Sequence, residues 1–146
     1  MTKVTCISES RVLLGRVHGA NCRHEYGLHF MKLTGQTHCA YCDMDLATRY
    51  ADWLQMALDH VVPSSICMHL GIQKEWVEDC ANRVLACATC NGFGNRYMAG
   101  ENVVCPTSLE GFFDLRDAIF AERKVLIAQR HVEERAFFAK RLWEQP

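Results

Sequence analysis

Hydrophobic and polar positions divide the chain into three parts. In the first, the run Arg11-Val-Leu-Leu-Gly-Arg-Val17 has the composition of a strand, and a helix is predicted from His24 to Leu33, ending at Gly35. In the second, Gln55-Met-Ala-Leu-Asp-His-Val-Val62 reads as a strand stopped by Pro63, and Asn82-Arg-Val-Leu-Ala86 reads as its partner in a hairpin. The connection between them, Ser64 to Ala81, is too long for a tight turn and predicts a short helix or two with a break at Gly71. In the third part, Leu109 to Trp143 has no Pro and a single Gly, Gly111, and mixes Phe112, Leu115, Ile119, Leu126, Phe137 and Phe138 with charges. That pattern predicts a long amphipathic helix, broken at most once, with a solvated face over a packed stripe. Its other uses would be dimerisation or contact with nucleic acid.

These elements make an α+β chain. With 146 residues, 49% of them hydrophobic, it forms one domain: an N-terminal extension over 1–36, a core over 37–105 and a helical segment over 106–146. No apolar run is long enough to span a bilayer and no leader pattern opens the chain, so a soluble cytoplasmic protein with no membrane partner is expected.

Charge changes the picture little. The net value is −1, which does not announce a nucleic-acid binder. Its distribution is uneven, however. Residues 1–36 carry five basic residues against two acidic, including Arg11, Arg16, Arg23 and Lys32, whereas the middle part is acidic through Asp43, Asp45, Asp52, Asp59, Glu75, Glu78 and Asp79. Acidic residues near a cation site are expected.

Cysteine changes it more. The nine cysteines are an odd number for a disulfide scaffold, and four of them form two short pairs, Cys39-Ala-Tyr-Cys42 and Cys87-Ala-Thr-Cys90. Each pair bends the backbone enough to present two sulfurs to one ion, so Cys39, Cys42, Cys87 and Cys90 are expected to hold a structural Zn2+. A redox CxxC is the competing reading, and two such pairs in one short chain favour the metal. Cys6, Cys22, Cys67, Cys80 and Cys105 have no ligand spacing and are expected to be small buried hydrophobes. His38 is expected at the surface, and Cys22-Arg-His24 is a weak candidate for a second metal site.

Between the pairs stands Asp59-His60. Neighbours on a strand point to opposite faces, so the dipeptide alone says little. The longer pattern says more: Leu58-Asp-His-Val-Val-Pro63, then Asn82-Arg-Val-Leu-Ala-Cys-Ala-Thr-Cys-Asn91. Over Cys39 to about Arg96 the chain resembles the HNH endonuclease family, in its zinc-containing, McrA-like branch, with His60, Asn82 and Asn91 at the three eponymous positions.

The resemblance implies a ββα-metal fold and metal-dependent hydrolysis of phosphodiester bonds, most readily in double-stranded DNA. Asp59 and Asn91 would supply oxygen ligands to one Mg2+ or Mn2+. His60 would be the general base for the attacking water, and Asn82 would hold the loop by hydrogen bonds to backbone; a plain turn residue is the alternative for Asn82. The family commonly carries a Lys after the last Asn. Here the run is Gly92-Phe-Gly-Asn-Arg96, so Arg96 is the candidate for a phosphate contact, or else an ordinary surface residue. Trp76, in the long connection, is expected in the core rather than as a base-stacking platform. A homodimer is compatible with one active site per chain. The alternative function is a non-catalytic, zinc-stabilised nucleic-acid-binding or adaptor module.

Overall fold

The computed structural model of the protein describes residues 22–95 and 97–146. The strand expected over 11–17 and Cys6 lie outside them. The first element, α1 (Tyr26–Thr34), ends where expected: Gly35 takes a left-handed conformation, φ 69°, and donates its N–H to Met31 O. A short loop then carries Cys39 and Cys42, closed by the antiparallel bridge His38↔Asp45. A single helical turn, α2 (Tyr50–Trp53), leads into β1 (Met56–His60).

β1 pairs antiparallel with β2 (Arg83–Cys87), in a register that sets Met56 opposite Cys87 and His60 opposite Arg83. The connection holds two short helices, α3 (Ser64–Leu70) and α4 (Lys74–Val77), with Gly71 at φ 70° ending the first. A 3-10 turn, Cys80–Asn82, is capped by Asp79, whose Oδ1 accepts the Ala81 N–H, and feeds the chain into β2. Helix α5 (Ala88–Gly94) follows β2 without a loop. The architecture is thus α+β, a two-stranded hairpin running straight into a helix.

The long helix, α6 (Leu109–Phe138), begins at Ser108, whose hydroxyl accepts the Gly111 N–H, and is continuous to Phe138 rather than broken midway. A final 3-10 turn, Leu142–Glu144, follows. Two apolar clusters form the interior. One gathers Phe30, Tyr41, Leu46, Met56, Val61, Val84 and Leu85 around the hairpin; the other gathers Val62, Ile66, Ile72 and Val77 under the connection. Helix α6 seals both, with Phe112 and Ile119 in the second cluster and Ile127 in the first. Its buried stripe also contains two arginines, Arg116 and Arg123, which the apolar pattern did not predict. Trp76 packs on Phe112. Cys67 and Cys80 are buried as expected, Cys22 is only partly covered, and Cys105 is exposed, a correction to its expected burial.

Candidate functional site

The two cysteine pairs meet because β2 connects them. Ala40 N donates to Leu85 O, which lays the first knuckle along β2, and β2 ends at Cys87, the start of the second. Each knuckle is shaped by its own bonds. Asp43 N–H donates to Cys39 O, with Asp43 itself left-handed at φ 64°, and Cys90 N–H points at Cys87 Sγ. As a result the four sulfurs lie within 4.8 Å of one another, and Cys42 and Cys87 are 3.8 Å apart. Tetrahedral zinc with ordinary Zn–S bonds places sulfurs about 3.8 Å apart.

The electrostatics fit the same ion. Hydrogen bonds from Cys87 and Cys90 hold the Cys39 thiol far below the ordinary range, while Cys90 is driven up by its bonds with Cys39 and Cys87. Cys42 is pushed up to about 11, first by burial and then by the charge of Cys39. One thiolate is stabilised by neighbouring thiols, and a bound cation would favour ionisation of the raised Cys42 and Cys90 thiols. The four cysteines can therefore hold a metal ion such as zinc. No disulfide joins the eight described cysteines. His38 is exposed and bonded to Thr37, and His24 stacks on Trp53; among the described residues the four-cysteine group alone has metal-ligand spacing.

Asp59 is 7% exposed, and its surroundings differ from expectation. Its Oδ2 accepts a 2.6 Å hydrogen bond from Tyr41, the tyrosine inside the first CxxC, and lies 2.9 Å from Arg123 Nη2. Arg123 comes from the middle of α6, is 1% exposed, and donates through Nη1 to both His60 O and Val61 O at 2.7 and 2.8 Å. Burial raises the Asp59 carboxyl, opposed by the charge of Arg123 and the bond from Tyr41. Tyr41 is itself raised, chiefly by burial and by Asp59, so it remains a donor. An oxygen ligand for Mg2+ or Mn2+ has to face the ion, and here the carboxylate faces a guanidinium and a phenol. As Asp59 is arranged, its carboxylate does not fit a divalent cation; the positive charge at this seat is Arg123.

His60 lies on the other side of the strand. Its Nε2 is 3.4 Å from Glu78 Oε1, and Glu78, at the end of α4, also pairs with Arg83 at the start of β2. Burial and the Arg83 charge lower the imidazole to about 4 against the pull of Glu78, so it is neutral near pH 7. Asn82 is fully buried. Its Oδ1 accepts the Val62 N–H, and its Nδ2 donates to Val62 O and Val77 O, tying the chain after His60 to the end of α4. Asn91 sits in the first turns of α5, partly buried, on the helix that packs against both strands. The site's parts are thus gathered around one hairpin, with Asp59 and His60 held by different partners. Arg96 lies outside the described residues.

Sequence reasoning missed Tyr41, Arg123 and His131, whose Nε2 is 3.1 Å from Cys90 Sγ. An Arg and a His on the apolar stripe of a charged helix were the available signals, and both read as solvated charges. The chain matches no protein-family model, no curated protein and no solved structure. Among the described residues no helix is long and apolar enough to cross a membrane.

Proposed function

We propose that the chain is an HNH-type endonuclease that hydrolyses phosphodiester bonds in double-stranded DNA. The observation that carries this reading is the hairpin that ends β1 on Asp59-His60, runs back through a buried Asn82, and passes directly into the helix bearing Asn91. The imidazole of His60 is the general base. His60 Nε2 lies 3.4 Å from Glu78 Oε1, and the neutral ring keeps one nitrogen lone pair to accept the proton of the attacking water. Asn82 is the positioning residue, since its three backbone bonds set the path of the chain immediately after His60. The four-cysteine site braces the hairpin and takes no part in the chemistry.

A second reading has a specific observation in its favour. The occupied Asp59 carboxylate suits a zinc-stabilised nucleic-acid-binding or adaptor module that does not cut. Incubation of the zinc-loaded protein with supercoiled plasmid across Mg2+ and Mn2+, beside an RNA substrate, separates the two. The nuclease reading expects nicked or linear plasmid, and it expects His60→Ala to abolish cleavage with zinc content and melting temperature unchanged. Equal cleavage by both proteins, or binding without cleavage, overturns it.

A further inference from the structure

Arg123 is 1% exposed and bonded to Asp59, His60 O and Val61 O, and it stands where the nuclease reading needs a different cation. A carboxylate as buried as Asp59 requires a positive counter-charge, and removing that charge without replacement is strongly destabilising. One seat of this kind takes one cation. Arg123 fills it from roughly the midpoint of α6, 64 residues beyond Asp59 in sequence.

Three features bear on how the contact could open. Its Nε is buried without a hydrogen-bond partner, so the guanidinium is not fully satisfied where it lies. A pocket of about 310 Å3 is lined by Arg123 itself together with Phe93, Tyr97, Leu126 and Arg130, so open space adjoins the side chain. The approach also depends on Gly94: a Cβ there would collide with Arg123 Nη2 and come within 3.3 Å of Cζ. A single methyl group on α5 is enough to deny Arg123 its present position.

We propose that Arg123 is an intramolecular latch, the resident cation of Asp59, which excludes a divalent ion from the Asp59 seat until the side chain swings away. The inference rests on the nuclease reading for its biological meaning, but its physical content is a competition between a guanidinium and a metal ion for one carboxylate. Tyr41 remains bonded to Asp59 in either state and keeps the carboxylate oriented.

Mn2+ binding by the zinc-loaded full chain, followed by electron paramagnetic resonance, tests it. Gly94→Ala, which retains Arg123 but blocks its position, and Arg123→Gln, which removes the charge, are each expected to bind one Mn2+ at least tenfold tighter than wild type. Adding Asp59→Asn to Gly94→Ala should abolish the gain. Should Arg123→Gln fail to fold, Gly94→Ala decides alone, since alanine suits a helix better than glycine. Wild type binding Mn2+ as tightly as Gly94→Ala, or a gain that survives Asp59→Asn, overturns the latch. The two proposals fail separately. Tighter Mn2+ in Gly94→Ala without His60-dependent cleavage keeps the latch and removes the nuclease, whereas equal Mn2+ binding with equal His60-dependent cleavage removes the latch and keeps the nuclease.

Discussion

His60 shows how burial of one residue ties stability to pH. Its folded-state value of about 4 lies below the ordinary 6.5, so between those pH values the unfolded chain takes up a proton that the folded chain refuses. The folded state carries no penalty above pH 6.5, and a penalty builds as pH falls from 6.5 toward 4. Its size is at most about 3 kcal/mol. Asp59, raised by burial, works in the opposite direction, gaining stability as acid protonates it. The difference between wild type and His60→Ala isolates the histidine: urea melts from pH 7 to 4.5 should show a steeper loss for wild type, and parallel profiles would remove the assigned burial effect.

Asn82 is a residue whose role is set by its bonds. Replacing it with alanine strands Val62 N–H, Val62 O and Val77 O in a fully buried region, so Asn82→Ala should cost about 2–4 kcal/mol in urea denaturation. A change below 0.5 kcal/mol, on the order expected for a plain surface position, would count against it.

Among the elements, the hairpin was the most legible, while the helix after it was expected only from the family resemblance. Pro63, the β-branched pairs at Val61-Val62 and the two CxxC spacings each act locally, and the observed strands, Met56–His60 and Arg83–Cys87, fall within one or two residues of the expected bounds. The metal knuckles extend that order to the loop before β1. Cys87 both ends β2 and caps α5, so Cys87→Ser should release zinc and lower the melting temperature by about 10 °C or more. Metal analysis beside a thermal melt checks this, and retained zinc with an unchanged melt would overturn the structural assignment. Helix α6 was legible as a helix but not as a packing surface. Phe112, Ile119 and Ile127 follow helical spacing, yet Arg116 and Arg123 occupy the same stripe, and periodicity counts an arginine as polar wherever it stands.

At the scale of the whole molecule, α6 closes two clusters that do not merge on their own, and Arg123 sits at the junction between them. Burial of Phe112, Ile119 and Ile127 is worth roughly 5–9 kcal/mol, comparable to the entire stability of a small domain. A chain cut before Leu109 is thus expected to be unfolded by circular dichroism. One ending at Phe138 should melt within about 3 °C of the full chain, because the removed residues are exposed. A folded short chain, or a collapsed melt in the longer one, would contradict this division of the core.

Contacts close in sequence were readable from the residues alone: a hairpin bounded by Pro63, two sulfur knuckles fit for one zinc ion, a glycine-stopped helix before them, and an Asp-His dipeptide on a strand whose neighbours face opposite ways. Each of these is dictated by local geometry and spacing. The partner of Asp59 was not readable, because Arg123 lies 64 residues further along the chain and reaches the carboxylate only when α6 packs across both clusters. Burial makes that contact consequential: in water the same pair would be screened, and in a nearly dry interior one guanidinium determines which cation the carboxylate can hold.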